Sequence, residues 1–331
     1  MVRAVLVLVS LSPVLAGEPP KADLRWQKAT ASPFARVESP TAVIDGKMYL
    51  FGGFTDDLGA SNRVDVYDPA ADAWSRKKDM PAGLTHLNPA VDGKTVWFAG
   101  GFKGKHPGPA TAEVWKYDLA SDSWAAGPPL PERRAGGGLV VLRRRLHYFG
   151  GYKEDRDTNA GDHWSLSLDG GKEWEKEAAI PDPRGHLTAV VLDGTIYALG
   201  GAYGHDKRQI DVASCHRYDP EKKKWAEIAS LPDGRSHFES STGVLNGRIL
   251  VVGGRCNSSK PPRNVVGDLL EYDPKADVWR VVGELPQKVM SPSAAIVGGK
   301  LVVIGGGLSN PRPLTAATWV AEFPGKKTEK P

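Results

Sequence analysis

The 331-residue sequence predicts an all-β protein, a ring of six repeats in which each repeat is a four-stranded antiparallel sheet. Three sets of landmarks, all in phase, carry this reading. Gly-Gly pairs begin at Gly52, Gly100, Gly150, Gly200, Gly253 and Gly305, in steps of 48, 50, 50, 53 and 52. A Trp stands seven residues before a Pro at Trp26/Pro33, Trp74/Pro81, Trp124/Pro131, Trp174/Pro181, Trp225/Pro232 and Trp279/Pro286. A Tyr stands seven residues before the Trp at Tyr67, Tyr117, Tyr218 and Tyr272, and an Asp follows each one. One such sheet cannot bury both of its faces, so it needs copies of itself as neighbours.

The clearest copy runs from Arg184 to Pro232. Leu187–Leu192 and Ile196–Leu199 read as strands joined by Asp193-Gly194, a two-residue hairpin signal. Ile210–Tyr218 and Trp225–Ile228 read as the third and fourth strands, with Asp219-Pro220 marking the turn between them. Hydrophobic–Gly-Gly, Tyr-Asp-Pro and Trp at a period of about 50 resemble the kelch repeat. The resemblance covers nearly the whole chain beyond the first residues and implies a six-bladed kelch β-propeller. It leaves function open, because kelch propellers serve unrelated roles.

At the N-terminus, a short basic start (Met1–Arg3) precedes an apolar run (Ala4–Leu11) and the small-residue site Val14-Leu15-Ala16. Residues 1–16 therefore read as a secretory signal peptide, which places the mature protein outside the cytoplasm, secreted or periplasmic. The apolar run is too short and too interrupted to span a membrane. Residues 17–23 read as a Pro-containing linker, 24–324 as the propeller and 325–331 as a disordered basic tail. Trp26 is a fourth-strand Trp with no first three strands before it, and the last repeat has a third strand at Thr318–Phe323 but no Trp after it. The N-terminal strand should thus complete the C-terminal blade, closing the ring and removing exposed edges. Blade 3 departs from the pattern, with Ser167 where Tyr is expected. The net charge of +4 is modest and the basic residues are scattered, so no nucleic-acid footprint is expected.

The topology of a blade places the loop after Gly-Gly and the Pro-containing link between blades on one face. The tight turns Asp45-Gly46, Asp92-Gly93, Asp193-Gly194 and Asn246-Gly247 fall on the other. The first face carries His106, Asp157, His163, His205, Arg255, Asn257 and Arg263, and loops held on a rigid scaffold are where function concentrates. The residue five after each repeat Pro is Glu38, His86, Gly136, His186, His237 or Ser291. In kelch propellers the first strand lines the central channel, so the resemblance implies that these six form a ring at its mouth. Arg36, Arg134, Arg184 and Arg235 stand two positions earlier, and Asn88 and Glu239 two positions later.

Three readings of the ring are open. The Arg-x-His pairs could brace adjacent blades. They could form a polar pocket, with Arg gripping a carboxylate or sugar hydroxyls while His186, His237 and Glu239 exchange protons. His86, His186, His237 and Glu38 could hold a metal, although sixfold placement sets His86 and His237 on opposite sides of the channel, and no metal is expected. The expected ligand-binding set is Glu38, His86, Asn88, His106, Arg134, Asp157, His163, Arg184, His186, His205, Arg235, His237, Glu239 and Arg255. Cys215 and Cys256 are a possible disulfide in an oxidising compartment. No nucleophile elbow, HExxH or phosphate loop is present, and no cofactor is expected. The sequence reads best as a monomeric, non-catalytic module that binds a carbohydrate or an extracellular protein. The alternative is a sugar mutarotase resembling the exported kelch-type sialate epimerases.

Overall fold

The computed structural model describes residues 24–256, 264–310 and 312–322. The expected leader, the linker and the basic tail lie outside them, as do the loop residues Asn257 and Arg263.

Six antiparallel sheets form the ring, each numbered here as a blade and described from its inner strand outwards. Blade 1 is Thr41–Ile44, Lys47–Phe51, Val64–Asp68 and Ala73–Lys77. Blade 2 is Ala90–Asp92, Thr95–Ala99, Val114–Asp118 and Ser123–Ala126. Blade 3 ends on a two-residue outer strand, Glu175–Lys176. Blade 4 is Thr188–Leu192, Thr195–Leu199, Cys215–Asp219 and Lys224–Ile228, and blade 5 runs from Thr242–Leu245 to Val278–Glu284. Blade 6 has Ser293–Val297, Lys300–Ile304 and Thr318–Glu322 from the C-terminal end of the chain. Its outer strand is Trp26–Ala29, paired Trp26↔Ala321 through Ala29↔Thr318, which is the closure that the unmatched repeat halves demand.

The repeat landmarks each have a physical task. Asp45-Gly46, Asp193-Gly194 and Asn246-Gly247 have positive φ at both positions, the turn geometry that fits the twist of a two-stranded ribbon. Each repeat Trp donates its indole N–H to a carbonyl at the outer edge of the preceding blade. Trp26 reaches Glu284 O at 2.9 Å, Trp74 reaches Thr30 O at 3.0 Å and Trp124 reaches Lys78 O at 3.1 Å. Trp174, Trp225 and Trp279 reach Pro128, Ala178 and Ala229 in the same way. Tyr67, Tyr117 and Tyr272 donate to Asp72, Asp122 and Asp277, and those carboxylates also accept a backbone N–H from the neighbouring blade. Apolar residues fill the space between facing sheets, as where Phe51 of blade 1 meets Phe98 of blade 2 edge-on at 4.8 Å.

Two expectations need correction. The third strand of blade 4 does not run unbroken over Ile210–Tyr218. Ile210–Asp211 pairs with Ala202–Tyr203 in a small separate ribbon, and the blade strand starts at Cys215. The partner changes there because the chain must first fold back over the residues after Gly200-Gly201. Among the described residues no disulfide joins Cys215 to Cys256. Cys215 is buried in blade 4 between Leu199 and Ile228, whereas Cys256 pairs with Arg235 and Asn264 in blade 5.

Candidate functional site

The six ring positions share one backbone state. Glu38, His86, Gly136, His186, His237 and Ser291 all have φ between 45° and 69°. The residue before each one bridges to the residue after that blade's Gly-Gly: Val37↔Phe54, Thr85↔Phe102, Ala135↔Tyr152, Gly185↔Ala202, Ser236↔Arg255 and Met290↔Gly307. The chain turns at the ring residue from this short bridge into the inner strand, and at Glu38, His86, His186 and His237 the side chain enters the mouth. Tight approach explains the second Gly of each pair, since a Cβ on Gly101 or Gly201 would lie 2.8 or 2.6 Å from a backbone oxygen.

The mouth is a cavity of about 260 Å³. Glu38, His86, His106, His186, His205, His237 and Arg255 line it, all of them expected from the sequence. Gly136 and Ser291 carry little or no side chain, so their neighbours lean together over them. His186 stacks on His237 with centroids 4.0 Å apart, and His86 lies 4.5 Å from His186. Glu38 reaches His86 Nδ1 at 3.0 Å and His237 Nε2 at 3.7 Å. Glu239 stands behind the ring with Oε1 2.6 Å from His186 Nδ1. From the loops, His205 brings its Nε2 to 3.0 Å from His86 Nε2, and Asp206 holds its Nδ1 at 2.6 Å.

The other expected residues lie elsewhere. Arg184 is fully buried and donates to the carbonyls of Gly200, Asp182, Ser214 and Ala198. Arg134 pairs with Asp162 and Glu132, Arg235 with Asp268, and Arg36 with Asp65. Their own carbonyls accept from the second Gly of the preceding blade, as in Gly101 N–H to Arg134, Gly151 to Arg184 and Gly201 to Arg235. These arginines brace blades and stand outside the lining of the mouth. Asn88 donates to Gly137 O and Leu187 O below the mouth, across two blades. Asp157 accepts the backbone N–H groups of His205, Asp206 and Lys207 and so shapes the loop carrying His205. His163 is buried in blade 3 against His147.

Arg156, a polar loop residue outside the expected ligand-binding set, packs 3.8 Å over the Phe102 ring, donates to Asp206 at 2.6 Å and approaches His106. Asp206 of the neighbouring loop was likewise outside that set, and sequence reasoning missed Phe54, Leu58, Gln209, Met290 and Asn310 in the lining. Phe54 was findable, because it occupies the position after Gly-Gly that bridges to the ring in every blade.

Burial governs the charge states. The His186 imidazole is held well below its ordinary value by burial, helped by His237, His86, His205 and Arg255 nearby. Burial, then His86 and Arg156, pulls His205 down to about 3 against the opposing pull of Asp206. Burial and then the Glu38 charge push Glu239 well above the carboxylate range. Burial also acts upwards on Glu38, but the charge and hydrogen bond of His86, with His205 and Arg255, outweigh it and hold Glu38 below its ordinary value. At neutral pH the mouth therefore sets the neutral imidazoles of His186 and His205 beside two ionised carboxylates, Glu38 and Asp206.

Two sets of three residues bring one potential ligand atom each to within 4.8 Å of one another: His86, His186 and His205, and Glu38, His186 and His237. Neither set contains both His86 and His237, the pair expected on opposite sides of the channel, but each of them comes together with His186. The small residues at positions 136 and 291 let the ring contract, and His205 enters from a loop outside the sixfold pattern.

Residues 86–306 match the KLHDC2/KLHL20/DRC7 Kelch-repeats domain, and residues 35–81 match the Kelch motif. The chain belongs to the kelch-repeat family. Among its relatives, Kelch repeat-containing protein At3g27220 of Arabidopsis thaliana is 28% identical over 318 residues, covering 89% of this chain and 74% of the relative. Kelch-like protein terF of Aspergillus terreus is 25% identical, covering 85% of this chain and 63% of its own length. Kelch-like protein 23 of Homo sapiens is 25% identical, and the match spans 46% of that protein. The solved structure titled "Structure of YjhT" superposes with a TM-score of 0.73 at 15% identity, covering 90% of this chain and 98% of that one, a likeness of fold. Kelch propellers are typical protein-binding modules, and this kelch propeller shares their architecture. Among the described residues no helix is long and apolar enough to cross a membrane.

Proposed function

We propose that this kelch propeller is a binding module that takes a compact polar ligand of the carbohydrate class in its central mouth. One observation carries the reading: loops and inner strands from several blades converge on a cavity of about 260 Å³ whose lining is mostly imidazole, carboxylate, amide and guanidinium, with Phe54 and Met290 as apolar faces. That volume is slightly below the usual range for drug-sized ligands, so it suits one sugar ring or one side chain offered by a protein partner. The leader-like residues 1–16 motivate the further proposal that binding takes place outside the cytoplasm, in a secreted or periplasmic protein. Calorimetric titration with a panel of neutral and acidic monosaccharides, alongside peptides bearing single polar anchors, tests the ligand class. Saturable sugar binding that His237→Ala removes is expected, and binding to peptides alone overturns the carbohydrate assignment. N-terminal sequencing of protein recovered from the culture medium or periplasm tests export, with cleavage after Ala16 expected.

A second reading, catalysis of anomer exchange, is favoured by Glu38, held below its ordinary value and 3.0 Å from His86 and 3.7 Å from His237, a base beside imidazoles that can relay protons around one small cavity. Acceleration of sugar mutarotation followed by polarimetry, lost in Glu38→Gln, supports it. An unchanged rate removes it.

A further inference from the structure

We propose that the mouth holds one divalent transition-metal ion, ligated by Nε2 of His86, His186 and His205, with a fourth position open to the cavity. The proposal deepens the binding-site reading of the mouth and rests on it. Four features converge on these atoms.

The first is distance. His86 Nε2 and His205 Nε2 are 3.0 Å apart, and His186 brings a ring nitrogen within 4.8 Å of the others. A tetrahedral ion with metal–nitrogen bonds of 2.0–2.1 Å sets its ligand nitrogens roughly 3.3 Å apart, so small side-chain adjustments complete the site.

The second is what stands behind each ring. His186 Nδ1 is 2.6 Å from Glu239, His205 Nδ1 is 2.6 Å from Asp206, and His86 Nδ1 is 3.0 Å from Glu38 and 2.9 Å from Thr85 Oγ1. His186 and His205 thus each have a carboxyl oxygen hydrogen-bonded at Nδ1, and His86 has Thr85 there with the Glu38 carboxylate beside it. An oxygen that accepts from Nδ1–H fixes the tautomer, aims the Nε2 lone pair inward and raises its basicity, and a cation bound at Nε2 of His186 would draw Glu239 into that ionised, accepting form. Three separate carboxyl–histidine pairs, drawn from four blades and one loop, are more than packing alone requires.

The third is an atom without a protein partner. His186 is 1% exposed, and its Nε2 is buried with no hydrogen bond from the protein. A buried acceptor left so is costly, and a metal bond at that nitrogen removes the cost.

The fourth concerns the alternative set. Glu38, His186 and His237 share His186 with the first set, so one ion cannot be served fully by both. Glu38 already orients His86, and as a ligand it would leave His86 without its carboxylate. The ligands are therefore the three imidazoles.

An all-imidazole donor set suits Zn²⁺, Co²⁺, Ni²⁺ or Cu²⁺ and is poor for Mg²⁺ or Ca²⁺, which take oxygen ligands. The open fourth position would accept water or an oxygen of the ligand, which gives a sugar hydroxyl or carboxylate a direct anchor.

The test uses the full chain, stripped with a chelator and titrated with Co²⁺ and Zn²⁺ alone. Calorimetry reads affinity, elemental analysis reads stoichiometry and the visible Co²⁺ bands read geometry. One ion per chain is expected, with no uptake of Mg²⁺ at similar concentrations. His205→Ala, on a loop, should weaken binding by at least a hundredfold with an unchanged metal-free melting temperature. Glu239→Gln should weaken it 10–100-fold, the scale for removing the partner of a ligating histidine. His237→Ala should retain Co²⁺ binding and its spectrum. Absence of stoichiometric binding overturns the proposal, and so does binding that survives His205→Ala but is lost in His237→Ala. Because no sugar is present, these outcomes are independent of whether the mouth binds carbohydrate.

Discussion

Replacing Arg184 with Met separates bracing from binding more sharply than any other single change. The Arg184 side chain is 0% exposed and spans the junction where blade 4 begins. It donates to Gly200 O at 2.5 Å, Asp182 O at 2.7 Å, Ser214 O at 3.1 Å and Ala198 O at 3.3 Å. Met keeps most of the stem's packing and removes every donor. Each charge-assisted bond contributes about 1.5–3 kcal/mol, but the two longer ones are weak and relief from burying a guanidinium offsets part of the loss. Counting the two short bonds at the lower end gives a destabilisation of about 3 kcal/mol. Unfolding entropy of about 2.1 cal/mol/K per residue over about 290 ordered residues is roughly 0.6 kcal/mol/K, so the melting temperature should fall by about 5 °C. Scanning calorimetry of parent and variant measures this, and Co²⁺ or sugar titration of the folded variant should match the parent. A variant with parental melting and weakened binding in the mouth would refute the bracing argument.

Deleting the chain through Ala29 removes the outer strand of blade 6 and bares the Thr318–Glu322 edge. Calorimetry should show loss of the cooperative transition, and size-exclusion chromatography should show edge-to-edge association. The Cys215 thiol is pushed up to about 11 by burial, so at pH 8 iodoacetamide should label it only after unfolding, as read by mass spectrometry of native and denatured samples. Burial holds His147 down to about 4 and His163 down to about 3, both neutral in the folded protein at neutral pH. The unfolded chain takes up these protons below pH 6.5, so the fold should lose stability as pH falls from 6.5 towards 4, at up to about 1.4 kcal/mol per pH unit for each histidine. Melting curves across that range should be flatter for His147→Gln than for the parent.

The blade count, the closure and the six ring positions were legible because each depends on spacing along the chain, which a sequence displays directly. The spacing from each repeat Pro located Glu38, His86, His186 and His237, and all four share one backbone state. What the ring residues do with one another was not legible. Sixfold symmetry suggested side chains held apart, yet the contraction over Gly136 and Ser291 depends on the absence of volume at two positions. The arginines misled for a related reason. Standing two residues before a mouth residue suggested a shared opening, but the turn at the ring sends those side chains back into the blades, where Asp65, Asp162 and Asp268 and the strand carbonyls receive them. Arg156 stood outside the expected set because its partners, Asp206, His106 and Phe102, come from loops that no repeat rule aligns.

The left-handed backbone at the ring has an energetic consequence. Gly136 takes that conformation without penalty, but Glu38, His86, His186, His237 and Ser291 do not, and each holds on the order of 1 kcal/mol of strain. Five such residues set roughly 5 kcal/mol against folding, comparable with the whole net stability of an ordinary domain. A chain selected for stability alone would place glycine at all six positions and leave the blades unchanged. This one carries a permanent load at its centre, which the interlocked outer edges of six blades are large enough to bear.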